Sequence, residues 1–142
     1  MHYREEYDGS YLICLEIGDD IVDSLRTFAS NEGIRGGNFK GIGAIDRAVI
    51  GYFDLERKEY LKKEVVGQRE LLSLIGNLGI DETGAIIVHA HIILGDRDMN
   101  CSGGHLFTSR ISVTGEIIVH PTADIVRSSN LKTGLNLWNL RA

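Results

Sequence analysis

Apolar and polar positions change their period along this chain, and the change separates one helix from a run of strands. Residues 11–17, YLICLEI, alternate in the manner of a strand with one buried face. Gly18 interrupts them. Beyond it the period lengthens: Ile21, Leu25 and Phe28 fall at i, i+4 and i+7, and Val22 and Ala29 widen the stripe. The acidic pair Asp19-Asp20 suits the positive end of a helix, and Gly33 is the expected left-handed residue that closes it. No other segment carries a comparable helical stripe.

After Gly33 the pattern predicts strands. Residues 39–53 form one long β-like stretch in which Gly41, Gly43 and Gly51 mark bends or bulges. Strands are expected over 59–66 and 70–75, separated by Gly67-Gln68, and over 85–94 and 105–113 on either side of the polar loop GDRDMNCSGG. Thr114-Gly115 reads as the turn into a strand over 116–119, which would make a hairpin. One helix among so many strands predicts an α+β fold, a largely antiparallel sheet with one main flanking helix. A doubly wound parallel sheet would need more crossover helices than the chain supplies. With 142 residues and no repeat or low-complexity stretch, a single domain over 1–142 is expected. Such a length buries roughly 68% of the unfolded surface.

Charge narrows the function classes. Fifteen Lys and Arg against 20 Asp and Glu give a net charge of −5, the wrong sign for non-specific nucleic-acid binding. The basic residues, from Arg35 to Lys63, are interleaved with acids as on a solvated face. The opening MHYREEYDGSY has no signal-peptide character, and no run approaches the length of a membrane helix. Two scattered cysteines, Cys14 in a strand-like run and Cys101 in the expected loop, are no disulfide framework. A reduced, cytoplasmic protein is the simplest expectation.

The histidines are the first candidates for chemistry. His89 and His91 stand two apart on an expected strand, so both leave one face with Ile87 and Ile93, while Val88, Ala90, Ile92 and Leu94 face the core. Imidazoles about 7 Å apart by strand rise can converge on one ion if a neighbour supplies a third ligand. His105, after Gly103-Gly104, is the natural third; His120 or Glu116 could add a fourth. Three His and an open position make a catalytic or exchangeable zinc site. The spacing equally allows imidazoles that are structural hydrogen-bonding groups or face solvent. Cys101 is a ligand, a reactive thiol or a loop residue without a role, and Glu116 is a candidate general base.

Two other signals fail. GIRGGNFKGIG lacks both the GK[ST] ending of a phosphate loop and the third glycine of a dinucleotide fingerprint, so its glycines serve backbone turns. Ser102 and Ser109 lie near His105 but show no nucleophile elbow.

Four segments in order, GDDIVDSL, GIGAIDRAVIGYFD, GQRELLSLIGNLG and the pair VHAHIILGD with GGHLFTSRISVTGEI, resemble the plants and prokaryotes conserved (PPC) domain over nearly the whole chain. That family accompanies AT-hooks in plants and stands alone in bacteria and archaea, where it is assigned to DNA binding. The resemblance implies a compact α+β fold, assembly as a homotrimer, and a recurring cluster of His89, His91 and His105 that suggests a metal site. The sequence has no AT-hook, and its single Pro121 lacks flanking arginines. Two functional expectations follow. One is a trimeric, DNA-associated regulatory assembly module with a metal, zinc or a similar divalent ion, on His89, His91 and His105. The other is a metal-dependent small-molecule enzyme or sensor using the same three residues.

Overall fold

The computed structural model describes residues 1–140. Its elements are β1 (His2–Glu5), β2 (Tyr11–Leu15), α1 (Ile21–Asn31), β3 (Gly37–Asp54), β4 (Glu59–Ile80), β5 (Ile86–Gly95), β6 (Cys101–Pro121), β7 (Arg127–Ser129) and β8 (Asn136–Trp138). The fold is a mainly antiparallel sheet with one helix. Six strands pair in the order β1-β2-β6-β3-β4-β5, and β5 also pairs with the first residues of β6. The long strands β6, β3, β4 and β5 therefore form a closed hydrogen-bonded ring. β7 and β8 make a small separate hairpin. Among the described residues, no helix is long and apolar enough to cross a membrane.

The helix forms where the stripe predicts it. Asp20 is the N-cap and accepts from Asp23 N at 2.8 Å. Its second carboxylate oxygen accepts from Ser109 N at 2.6 Å and Thr108 Oγ1 at 2.5 Å, tying the helix start to β6. Ser109 Oγ in turn accepts from Ile21 N, a structural role that disposes of it as a nucleophile. Gly33 ends the helix at φ +66°. Ile21, Val22, Leu25, Phe28 and Ala29 are all buried. They meet Leu15, Ile45, Leu74, Leu94, Ile111 and Val119 in one core.

Three expectations about the strands are corrected. Gly67-Gln68 does not separate two strands. β4 runs through it, with Gly67 at φ +94° and a register shift opposite Asp46, so the glycine accommodates a bulge. The hairpin at Thr114-Gly115 does not exist either: β6 continues to Pro121, flanked by β2 and β3. Strand crowding explains the glycines there, since a Cβ on Gly43 would lie 2.2 Å from Thr114 O. The polar loop is shorter than expected, because β6 begins at Cys101, which pairs with Gly95. Both cysteines are free and exposed. β1, β7 and β8 carry no alternation long enough to be read from sequence.

Candidate metal centre

The core-facing alternation of β5 decides which side His89 and His91 occupy. Ala90, Ile92 and Leu94 are buried, leaving the odd positions on the opposite face, where His89 is half-buried and His91 exposed. The closing of β5 onto β6 then brings in the third residue, since His91 stands opposite His105 in the register. Glycine makes this closure possible: a Cβ on Gly103 would sit 2.3 Å from Ile92 O, and one on Gly104 2.8 Å from Gly51 O. No side chain fits at either position without moving backbone.

The three imidazoles converge. Ring centroids lie 5.2 Å apart for His89–His91 and His89–His105, and 5.3 Å for His91–His105. One nitrogen from each falls within 4.8 Å of the other two. The Nε2 atoms of His89 and His91 are 3.3 Å apart. Two nitrogens bound to one zinc at tetrahedral angles lie about 3.3–3.4 Å apart, so this pair already has the required span. His105 carries a second sign, a buried Nδ1 with no hydrogen-bond partner. The donor set fits a borderline-soft dication such as zinc.

The surroundings hold the rings and keep them neutral. His105 packs on Tyr60 and Phe107, with centroids 5.0 and 4.8 Å away, and Lys62 Nζ lies 4.0 Å over the Phe107 ring. Behind His89 stands Arg127, whose Nη2 contacts His89 Nδ1 at 3.1 Å and donates to Asn77 Oδ1 at 2.7 Å. Arg127 Nη1 donates to Asn136 O, and Trp138 Nε1 reaches the same Asn77 oxygen at 3.3 Å. Burial lowers the His89 pKa to about 4, helped by the Arg127 charge and by His91. Burial likewise lowers His105 to about 4, with the other two imidazoles, Arg127 and Lys62 adding to it. Both rings thus offer lone pairs at neutral pH.

Among the described residues, these three are the one group of metal-ligating side chains so assembled. His120, Glu116 and Cys101 are not part of it. His120 pairs with Asn38, and Glu116 with Cys14 and Ile42. Glu116 lies eleven residues beyond His105 on the same strand, so without the expected hairpin it does not return to the histidines. Instead it lines a groove of about 920 Å³ with Leu12, Cys14, Ile42, Leu72 and Ile75. Arg127, Asn77 and Tyr60 belong to the site's surroundings and were not singled out by sequence. The strand pairing of Asn77 with His89 and the docking of the β7–β8 hairpin bring the first two there, and β3, which pairs with both β4 and β6, brings Tyr60.

Comparison with known proteins adds the lineage. The family model of the Plants and Prokaryotes Conserved (PCC) domain matches residues 4–123. A metal-containing protein from Archaeoglobus fulgidus is 34% identical with a TM-score of 0.85, over 98% of this chain and 99% of that one. A plant- and prokaryote-conserved (PPC) protein from Pyrococcus horikoshii is 32% identical with a TM-score of 0.85, over 97% and 94%. A "putative dna binding protein" from Bacteroides thetaiotaomicron is 28% identical with a TM-score of 0.93, over 99% and 98%. No curated protein matches the chain. The sequence segments, the ring of long strands and the matched family model agree, and the chain belongs to the plants and prokaryotes conserved domain family.

Proposed function

We propose that residues 1–142 act as one domain that holds a divalent transition metal, zinc by its donor set, on His89, His91 and His105. The observation that carries this reading is the convergence of three imidazole nitrogens within 4.8 Å, two of them already at 3.3 Å. The archaeal relative described as metal-containing supports it. A bound ion would polarise a carbonyl or acidify a water at its open position. The chain's own part is to orient His89 through Arg127, to keep His89 and His105 neutral, and to leave His91 exposed on the side from which a ligand arrives. Elemental analysis of protein purified without an affinity tag tests this. One ion per chain, lost in His89→Ala, is expected; metal content unchanged after replacing all three histidines by Ala ends the reading.

The module assembles as a homotrimer in this proposal. Ile42, Leu72, Ile75, Ile93 and Val113 are each about half exposed on the outer side of the strands, and exposed apolar side chains grouped in this way mark interaction surfaces. They border adjoining grooves, one of which reaches His91. Copies of this chain are the proposed cover, in a cytoplasmic setting that suits two free thiols.

The relative's DNA-binding description supports a regulatory role on DNA as the companion of this assembly. In this chain Arg4, Arg26, Arg35, Arg47, Arg57 and Arg110 each face a carboxylate within 4 Å, so DNA contact must draw on Arg69, Arg97 and the lysines, gathered by assembly. A salt-sensitive mobility shift at low ionic strength is the expected result, and its absence removes DNA from the account. The exposed His91 favours the alternative reading, a metal-dependent small-molecule enzyme or sensor. Substrate screening of metal-loaded protein tests that reading.

A further inference from the structure

Arg127 orients His89, but a neutral donor would do as much, and the buried charge of Arg127 has no use in the metal reading alone. The residue is 6% exposed. Its guanidinium is held only by neutral acceptors, Asn77 Oδ1, Asn136 O and His89 Nδ1, and its Nε is buried without a partner. Among the described residues, no carboxylate pairs with it. Taking a guanidinium out of water is costly, and neutral acceptors repay that cost only in part. A cation against a ligand also works against binding a metal cation. Its presence there therefore points to negative charge that arrives later.

The charges around the triad point the same way. Imidazole ligands bring no charge to a bound dication, and the nearest ionised neighbours are Arg127 and Lys62. Lys62 pairs across Gly51 with the strand position of His105. With an ion in place the site is strongly positive, half-buried and without acidic residues of its own, so an anion at the open position is the ligand that neutralises it.

We propose that the triad's exchangeable ligand is a small anion of the carboxylate class, drawn to the site by Arg127 with help from Lys62. This rests on the reading of His89, His91 and His105 as metal ligands. Arg127 lies beyond the family-matched residues 4–123, on the first strand of the β7–β8 hairpin.

Cobalt(II)-loaded protein provides the test, because its visible absorption reports the ion's coordination without requiring a known substrate. Acetate and acetamide, nearly equal in shape and different in charge, are the probes. The expected result is a saturable spectral change with acetate and none with acetamide at the same concentration. Arg127→Gln should weaken acetate binding about tenfold when each variant is measured at saturating cobalt, and Arg127→Lys should restore most of it. Should Arg127→Gln fail to fold, the exposed Lys62→Gln carries the same comparison, with an expected loss of about threefold. Equal responses to the two probes, or acetate affinity unchanged in the folded variants, overturn the inference and leave the metal site standing. Failure to take up cobalt at all overturns the metal reading and this inference with it.

Discussion

Arg127 contacts Nδ1 of His89 through Nη2 at 3.1 Å. A guanidinium has donors only, so the contact makes Nδ1 the acceptor and leaves the imidazole's own proton on Nε2, which faces Nε2 of His91. One side chain from a hairpin near the C-terminal end thus sets both the orientation of a ring on β5 and the position of its proton. An ion arriving at Nε2 meets a neutral imidazole only when the proton moves to Nδ1 and the Arg127 contact opens. The ring needs no reorientation to meet it.

Lowering the pH from neutral should destabilise the metal-free protein over a defined window. His89 and His105 titrate near 4 in the folded chain, against about 6.5 when unfolded. Between those values the unfolded chain binds more protons, so stability is fully present above about 6.5, falls as the pH drops, and levels off below 4. The lowered carboxylates Asp46, Asp81 and Asp96 act below their ordinary range and so outside this window. Thermal unfolding between pH 4 and 8 checks this, with His105→Phe expected to flatten the curve.

Exposure separates the roles of the histidines. His91 faces solvent, so His91→Ala should change the stability of the metal-free protein by no more than about 0.5 kcal/mol. The same substitution should abolish stoichiometric metal uptake. Urea unfolding and elemental analysis of one preparation measure both; a large stability loss would mark the ring as structural.

Asp20 joins α1 to β6 through its cap and its two bonds to Thr108 and Ser109. Asp20→Ala removes the cap and strands a part-buried backbone N–H, so a loss of about 1–3 kcal/mol is expected. Urea denaturation would show it as a lower midpoint with an unchanged slope.

Gly76 stands where β4 meets β5 beside His89. A Cβ there would lie 2.2 Å from His89 O and 2.3 Å from Cζ of Phe39. Gly76→Ala should therefore cost about 1–3 kcal/mol and also weaken metal binding, because relief of the clash moves the strand that carries His89 and His91. Metal affinity unchanged in a destabilised variant would show that the strain is relieved toward Phe39 instead.

Ile75 lies on the outer apolar surface, directly across from His91 in the register. Light scattering of wild type is expected to give the mass of three chains, and Ile75→Asp a smaller one, because assembly would bury a carboxylate without a partner. An identical mass for both proteins places the contact elsewhere.

Local patterns in the sequence determined the helix, the sides of β5 and the candidate ligands. Ile21, Leu25 and Phe28 mark one helical face whatever they pack against, and the period of two in β5 places His89 and His91 together without knowledge of any neighbour. Tertiary structure decided what depends on pairing. Thr114-Gly115 has the composition of a turn, yet β2 and β3 on either side of it keep β6 extended. Cys101 looks like a loop residue until β5 closes onto β6. That closure also selects His105 and leaves Glu116 and His120 elsewhere, since separation along the chain does not tell which strands meet. Arg127 had no periodicity to announce it. Its role arises from the docking of a short hairpin, where a few contacts across fifty residues of chain, Arg127 to Asn77, outweigh any local preference.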